Sequence, residues 1–146
     1  MSKVIIGCDP DSSKHGIAMY INGKLELLEC MTTINVYRLM LKYQECDIEL
    51  HIENVCGVSN SGFHYGRKDS QAVRAKKSEN VGMCKQAQRE VEAMANDLGV
   101  KVIHHKISKQ WKHEPSKSAF KRITGWTGRS NEDSRSAAYM GFQGLR

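Results

Sequence analysis

The chain has 146 residues, of which 40% are hydrophobic, and its 22 lysines and arginines outnumber its 16 aspartates and glutamates. That length predicts one compact domain over residues 1–146, and the net charge of +6 favours a polyanionic partner. Five cysteines without a CxxC pair argue against a disulfide-bonded secreted protein, and the apolar start before Asp9 is too short for a signal peptide or a membrane span. We therefore expect a cytoplasmic protein that does not enter a membrane.

The first third of the chain predicts an antiparallel meander of three strands. A short β-branched run at residues 4–8 ends at the turn-forming sequence DPDSS of residues 9–13, which places Asp9 at the end of a buried strand. Residues 16–21 and 25–31 are two further strands, joined by Asn22-Gly23, which is a strong hairpin signal.

The middle of the chain predicts a crossover to a parallel strand and then a loop. Residues 35–44 carry apolar side chains at helical spacing, and residues 48–52 form a short apolar strand that ends at Glu53. Residues 56–80 are polar and rich in glycine and serine, a composition that buries little and is typical of a functional loop.

The remaining elements complete an α/β fold. A long helix over residues 78–98, capped by Ser78, precedes a strand at 101–105, a short basic helix at 116–122 and a closing helix at 131–142. The pattern therefore predicts a five-stranded mixed sheet, an antiparallel meander plus parallel strands, flanked by helices.

Three carboxylates stand where a metal site would need them. Asp9 and Glu53 each end an apolar strand, and Asp133 opens the final helix with Glu132 beside it. Taken singly, each has an ordinary explanation as a turn residue, a solvated strand end or a first-turn acid favoured by the helix dipole. If the first and fourth strands are neighbours, however, Asp9 and Glu53 meet at one edge of the sheet, and together the acids predict a site for divalent cations.

Four segments resemble the RuvC family of Holliday-junction resolvases, which belongs to the RNase H-like superfamily. The sequence IIGCDPDSS at 5–13, followed by Gly16, looks like the first RuvC signature, and LHIENV at 50–55 looks like the second. NSGFHYGR at 60–67 is similar to the loop after the catalytic Glu in phage-type members, and KISKQWK at 106–112 resembles their segment after the fifth strand. The likeness runs in order along nearly the whole chain, and a phage-encoded member would work in the host cytoplasm.

The resemblance implies an RNase H-like fold and hydrolysis of phosphodiester bonds in branched DNA with two Mg²⁺ ions, or Mn²⁺ in their place. Asp9 would bridge the two ions, Glu53 would hold one and Asp133 the other. Relatives usually carry two acidic or His/Asp ligands one helical turn apart, whereas Ser130 stands one turn before Asp133. Either Glu132 substitutes or water completes the site. Glu132 and Asp133 point about 100° apart on a helix, so we do not expect both to bind the same ion directly, and we take Asp133 as the ligand.

Branched DNA would be recognised by its backbone and by bases unpaired at the crossover. Phe63 and Tyr65 are candidates to stack on such bases, although anchoring the loop on the core would explain them nearly as well. The basic candidates for phosphate contact are Arg67, Lys68, Arg74, Lys76 and Lys77, and a second patch comprises Lys109, Lys112, Lys117, Lys121 and Arg122. Trp111 is expected to pack over a helix end. Symmetrical cuts imply a homodimer, with the helix over 78–98 as the expected contact.

Other functions fit parts of the pattern. A non-catalytic module of the same fold that binds branched DNA would share these sequences, and an RNase H-type nuclease for RNA:DNA hybrids would share the carboxylate geometry. The turn at 9–13 followed by Gly16 also resembles the phosphate loop of actin-like and sugar-kinase ATPases. Those ATPases need a second domain for which 146 residues leave no room.

Overall fold

A mixed five-stranded sheet organises the molecule, of which the computed structural model describes residues 1–58 and 69–145. The strand order is β3-β2-β1-β4-β5, with β1, β2 and β3 antiparallel and with β4 and β5 parallel to β1. The strands are β1 (Lys3–Asp9), β2 (His15–Ile21), β3 (Lys24–Met31), β4 (Asp47–Glu53) and β5 (Lys101–His105). The predicted meander, the parallel crossover and the neighbouring first and fourth strands are thereby confirmed.

Helices cover both faces of this sheet. They are α1 (Thr33–Lys42), α2 (Gln71–Asp97), α3 (Glu114–Thr124) and α4 (Glu132–Gln143), and a single 3-10 turn follows β4 at Val55–Gly57. None of the helices in the two described ranges combines the length and the apolarity that a membrane crossing requires. All five cysteines are free thiols.

The long helix α2 begins earlier than the sequence predicted. It starts at Gln71 with Ser70 as N-cap, whose side chain accepts a hydrogen bond from the backbone N–H of Val73. The prediction that residues up to about 80 form a loop and that Ser78 caps the helix was therefore wrong. Residues 71–80 are exposed on every side, so they show no apolar periodicity, and the helix there depends on its cap and on good helix formers.

The alternation of β1 divides the core into two halves. Val4, Ile6 and Cys8 face α1 and α2, while Ile5 faces the helices on the opposite side. On that opposite side Gly7 allows close approach of α4, because a Cβ at this position would lie 2.0 Å from the backbone oxygen of Ala137. Helix α4 therefore lies directly on the sheet, close to the end of β1.

A second glycine brings the first turn of α4 against the start of β2. A Cβ on Gly16 would lie 2.1 Å from the carbonyl oxygen of Asp133, so Gly16→Ala forces α4 to shift. We expect this change to lower the free energy of unfolding by about 1–3 kcal/mol in urea denaturation. Gly82→Ala is the matched control, since Gly82 lies inside α2 with open space around it, and there the change should stabilise by up to about 1 kcal/mol. Equal stability of Gly16→Ala and the wild type would contradict this packing.

Candidate active site

The three carboxylates predicted from the sequence border one pocket. Asp9 is the last residue of β1 and Glu53 the last residue of β4, and because these strands are parallel neighbours their carboxyl ends lie side by side. Asp133 joins them from the first turn of α4. The pocket that they border has a volume of about 340 Å³.

Asp9 and Glu53 are buried, and burial disfavours the charged forms of their carboxylates. Asp9 is 7% exposed and Glu53 5% exposed. Burial, and next to it the charge of Glu53, raises the pKa of Asp9 to about 7, and burial also raises the pKa of Glu53. Within the described ranges, Asp9 Oδ2 is the buried side-chain oxygen or nitrogen that has no hydrogen-bond partner. Burying such an oxygen costs free energy unless a hydrogen-bond donor or a positive charge binds to it.

Lys112 brings a positive charge into this pocket. Its Nζ lies 3.7 Å from Asp9 Oδ2 and 3.9 Å from Asp133 Oδ1, beyond hydrogen-bond distance but close enough for ionic attraction. Burial alone would lower the pKa of Lys112, but the surrounding carboxylates outweigh it and raise that pKa. The sequence predicted Lys112 as a DNA contact and did not reveal that it lies among the acids.

A buried arginine fixes the backbone that carries Lys112. Trp111 is buried against Phe120, Tyr139 and Phe142, as expected of a residue that packs rather than one that contacts DNA. Its φ of 64° is unusual for a residue with a side chain. Arg135 donates from Nε to the carbonyl oxygen of Trp111 and from Nη2 to that of Lys112, both at 2.9 Å. This clamp holds the turn that directs Lys112 to the pocket.

The first turn of α4 separates the two adjacent acids. Asn131 caps the helix because its side-chain oxygen accepts a hydrogen bond from the N–H of Ser134, and the hydroxyl oxygen of Ser134 accepts one from the N–H of Asn131. Asp133 faces the pocket, whereas Glu132 lies outside it with one oxygen 3.9 Å from His113 Nδ1. Of these two acids, Asp133 is therefore the one that lines the pocket.

A serine missed by the sequence analysis contacts the buried acids. Ser136 lies one turn after Asp133, and its hydroxyl donates to Glu53 Oε2 at 3.2 Å. Ser130, one turn before Asp133, lies outside the pocket and accepts a hydrogen bond from Arg135 Nη1. The i+3 spacing from Asp133 is the signal in the sequence that points to Ser136.

The DNA-binding candidates of the sequence analysis are distributed over three places. Lys112 lies in the pocket, and Lys109 is exposed on the segment between β5 and α3. Along the exposed start of α2 lie Arg74, then Lys76 with Nζ 3.8 Å from Glu79, and Lys77 with Nζ 2.5 Å from Asp69. The candidates Phe63, Tyr65, Arg67 and Lys68 lie outside the described residues.

The residues at the pocket fit a divalent cation. Within 1–58 and 69–145, no three His, Cys, Asp or Glu side chains stand close enough to hold a metal ion as they are, and the ammonium of Lys112 lies among the carboxylates instead. The donor chemistry is nevertheless suitable, since carboxylate oxygens are the ligands that Mg²⁺ and Mn²⁺ prefer. A bound cation would give Asp9 Oδ2 a partner. It would also stabilise the charged forms of the three acids, whose pKa values are raised.

Comparisons with known proteins agree with the topology. No protein-family model and no curated protein sequence matches the chain. Among solved structures, RuvC from Thermus thermophilus in complex with a Holliday junction substrate superposes with a TM-score of 0.63 at 13% identity, covering 95% of this chain and 90% of that one. Another Thermus thermophilus RuvC structure gives a TM-score of 0.60 at 14% identity, with coverages of 95% and 91%. The chain therefore has the RNase H-like fold of these RuvC structures.

Proposed function

We propose that this chain, acting as a single domain over residues 1–146, is a divalent-metal-dependent endonuclease that resolves four-way DNA junctions. The observation that carries the proposal is the meeting of Asp9, Glu53 and Asp133 at one pocket, with Asp9 Oδ2 buried and unpartnered. Carboxylates from different elements that converge at one pocket are what metal-assisted phosphoryl chemistry requires. The RuvC-type fold supports the choice of branched DNA as substrate.

The three acids, Ser136 and Lys112 have distinct roles in this proposal. Asp9, Glu53 and Asp133 would hold the cations, and Ser136 orients Glu53 by donating to its Oε2. When bound, two divalent cations would activate a water molecule for attack and stabilise the departing oxygen. The ammonium of Lys112 moves from the carboxylates to an oxygen of the incoming phosphate, whose negative charge it balances.

Basic residues on both sides of the pocket supply the DNA contacts in this proposal. Lys109 and Lys112 lie on the β5–α3 side, and Arg74, Lys76 and Lys77 lie along the start of α2. Asn80 and Val81 of α2 line the pocket, so the basic residues at the start of α2 lie on the same helix as two residues beside the acids. Phosphate contacts of this kind fix the position of DNA without reading its sequence.

Two symmetrical cuts require two active sites, so we propose a homodimer. Residues 71–80 of α2 are exposed. We propose α2 as the contact between the two copies, since two-fold dimers are the commonest oligomers of soluble proteins. Sedimentation analysis tests this part of the proposal separately from activity.

The substrate class is tested by competition between labelled nucleic acids. The purified protein is incubated in Mg²⁺ with a four-way junction, a linear duplex of the same sequence and an RNA:DNA hybrid. We expect the junction to be cut at least about tenfold faster than the other two, because recognition relies on shape and backbone contacts. Preferential cutting of the hybrid would favour an RNase H-type nuclease, and tight junction binding without cutting in any metal would favour a non-catalytic binding module.

A further inference from the structure

The loop between β1 and β2 forms one edge of the candidate active site. It covers residues 10–14, directly after Asp9, and Pro10 and Asp11 both line the pocket. Within the loop, Asp11 Oδ1 accepts a hydrogen bond from the N–H of Ser12 at 2.7 Å. That contact joins adjacent residues, so it does not attach the loop to the rest of the fold.

His15, the first residue of β2, attaches the backbone of this loop. Its side chain is 1% exposed, and both ring nitrogens are engaged. Nδ1 lies 3.2 Å from the backbone N–H of Asp11, and Nε2 lies 2.7 Å from Thr33 Oγ1 at the start of α1. Because a backbone N–H can only donate, Nδ1 carries no proton, and Nε2 therefore donates to Thr33. Burial lowers the pKa of His15, which keeps the ring in this neutral form.

The neighbours of His15 belong to the same site. Gly16 pairs with Asp9 across the sheet, and its Cα packs closely against the carbonyl oxygen of Asp133. On the α2 side, Cys84 Sγ lies 3.7 Å from Asp11 Oδ1. The titratable groups that face the His15 ring are Asp11 and Glu90 of α2. One short segment thus connects the loop to α1 and lies between two of the proposed metal ligands.

We propose that His15 is a positioning residue: its Nδ1 holds the backbone of Asp11, so that the edge of the pocket beside Asp9 keeps one conformation. This inference rests on the nuclease function proposed above and adds to it a residue that does not touch the substrate. Residues that orient a metal-binding site indirectly typically contribute about 10- to 100-fold to activity or metal affinity. The bond to Asp11 holds the loop, and the bond to Thr33 gives the protonated Nε2 its acceptor.

Two amide variants separate the two hydrogen bonds. In His15→Asn the amide oxygen can take the place of Nδ1 and accept from Asp11, and the contact to Thr33 is lost. In His15→Gln the longer side chain reaches Thr33 with its amide nitrogen but leaves the Asp11 N–H without its acceptor. Both variants remove the same ring from the same buried place, so a purely structural role predicts similar losses of stability and activity. Thr33→Val removes the second partner while leaving the first bond.

The measurements are junction cleavage, thermal stability and amide hydrogen exchange at Asp11. We expect His15→Asn and Thr33→Val to keep kcat within about threefold of the wild type, and His15→Gln to lose about tenfold or more with little change in KM. The Asp11 amide should exchange faster in His15→Gln than in His15→Asn. Equal kcat in the two amide variants, or losses that follow melting temperature alone, would overturn the proposal.

A separate readout keeps this inference distinct from the nuclease proposal. ¹⁵N chemical shifts of the His15 ring in the wild type report which nitrogen carries the proton, whatever substrate the protein acts on. We expect a protonated Nε2 and an unprotonated Nδ1. A proton on Nδ1, or an unprotected Asp11 amide, overturns the positioning role even if junctions are cut. If the ring shifts and the amide protection are as expected but the protein cuts no DNA, the proposed function is contradicted and the positioning role of His15 is not.

Discussion

Asp9→Asn is expected to abolish cleavage and, in the metal-free protein, to increase stability. The change removes a buried negative charge whose Oδ2 has no hydrogen-bond partner, and it leaves the size of the side chain almost unchanged. We expect kcat to fall by at least about 10³-fold, because a proposed metal ligand is lost. At pH 8 without metal, the free energy of unfolding should rise by about 1–3 kcal/mol.

The pH dependence of stability gives the same charge an independent signature. The pKa of Asp9 is raised to about 7 in the folded chain, against roughly 3.9 in an unfolded one. Between these values the unfolded state has released its proton and the folded state keeps it, so stability falls as pH rises from about 4 to about 7. The difference between Asp9→Asn and the wild type should therefore be small at pH 4, grow through this range and level off above it.

The control for this prediction is an exposed acid. Asp97→Asn changes a residue at the exposed end of α2 and should leave both stability and cleavage near the wild-type level. Adding Mg²⁺ should stabilise the wild type and Asp97→Asn, but not Asp9→Asn, because ligand binding stabilises only the state that binds. A loss of stability in metal-free Asp9→Asn at pH 8 would contradict the view that Asp9 is destabilising without a cation.

Lys112→Met is expected to separate metal binding from catalysis. The ammonium of Lys112 lies near Asp9 and Asp133. In the metal-free chain it partly neutralises the charge that a metal ion would neutralise. Its removal leaves the acids without a positive neighbour, so we expect metal-free stability to fall by about 1–2 kcal/mol, a value reduced because the side chain is 30% exposed. For the same reason, Mg²⁺ or Mn²⁺ should bind several-fold more tightly.

Cleavage by Lys112→Met should nevertheless fall by about 10²-fold, since the proposed balance of phosphate charge is lost. Calorimetric titration with Mn²⁺ measures the affinity, and single-turnover junction cleavage measures the rate. Lys109→Met is the matched control, because Lys109 is an exposed lysine three positions away on the same segment. Weaker metal binding in Lys112→Met than in Lys109→Met would show that Lys112 supports the metal site and does not compete for it.

The sheet and two of its carboxylates could be predicted because local signals agreed with the final structure. Asp9 follows a buried β-branched strand and begins a turn, and Glu53 ends an apolar strand, so both positions follow from patterns within a few residues. The Asn22-Gly23 hairpin fixed the antiparallel pairing of β2 with β3. These features need no knowledge of distant contacts.

The remaining parts of the site depend on contacts that a local pattern does not carry. Lys112 reaches the acids because Arg135 holds a turn with positive φ at Trp111, and the two segments are far apart in sequence. Ser136 contacts Glu53 because Gly7 and Gly16 let α4 lie directly on the sheet. The start of α2 was missed for a different reason, since its residues are exposed and show no apolar face.

The most direct test of the central claim is the metal dependence of junction cleavage by the wild-type chain. A labelled four-way junction is incubated with purified protein in Mg²⁺, in Mn²⁺ and in EDTA, and the cut positions are mapped on all four strands. The pocket of Asp9, Glu53 and Asp133 predicts paired, symmetrical nicks with either cation and none in EDTA. Nicks that persist in EDTA, or an intact junction bound tightly in every metal, would contradict the account.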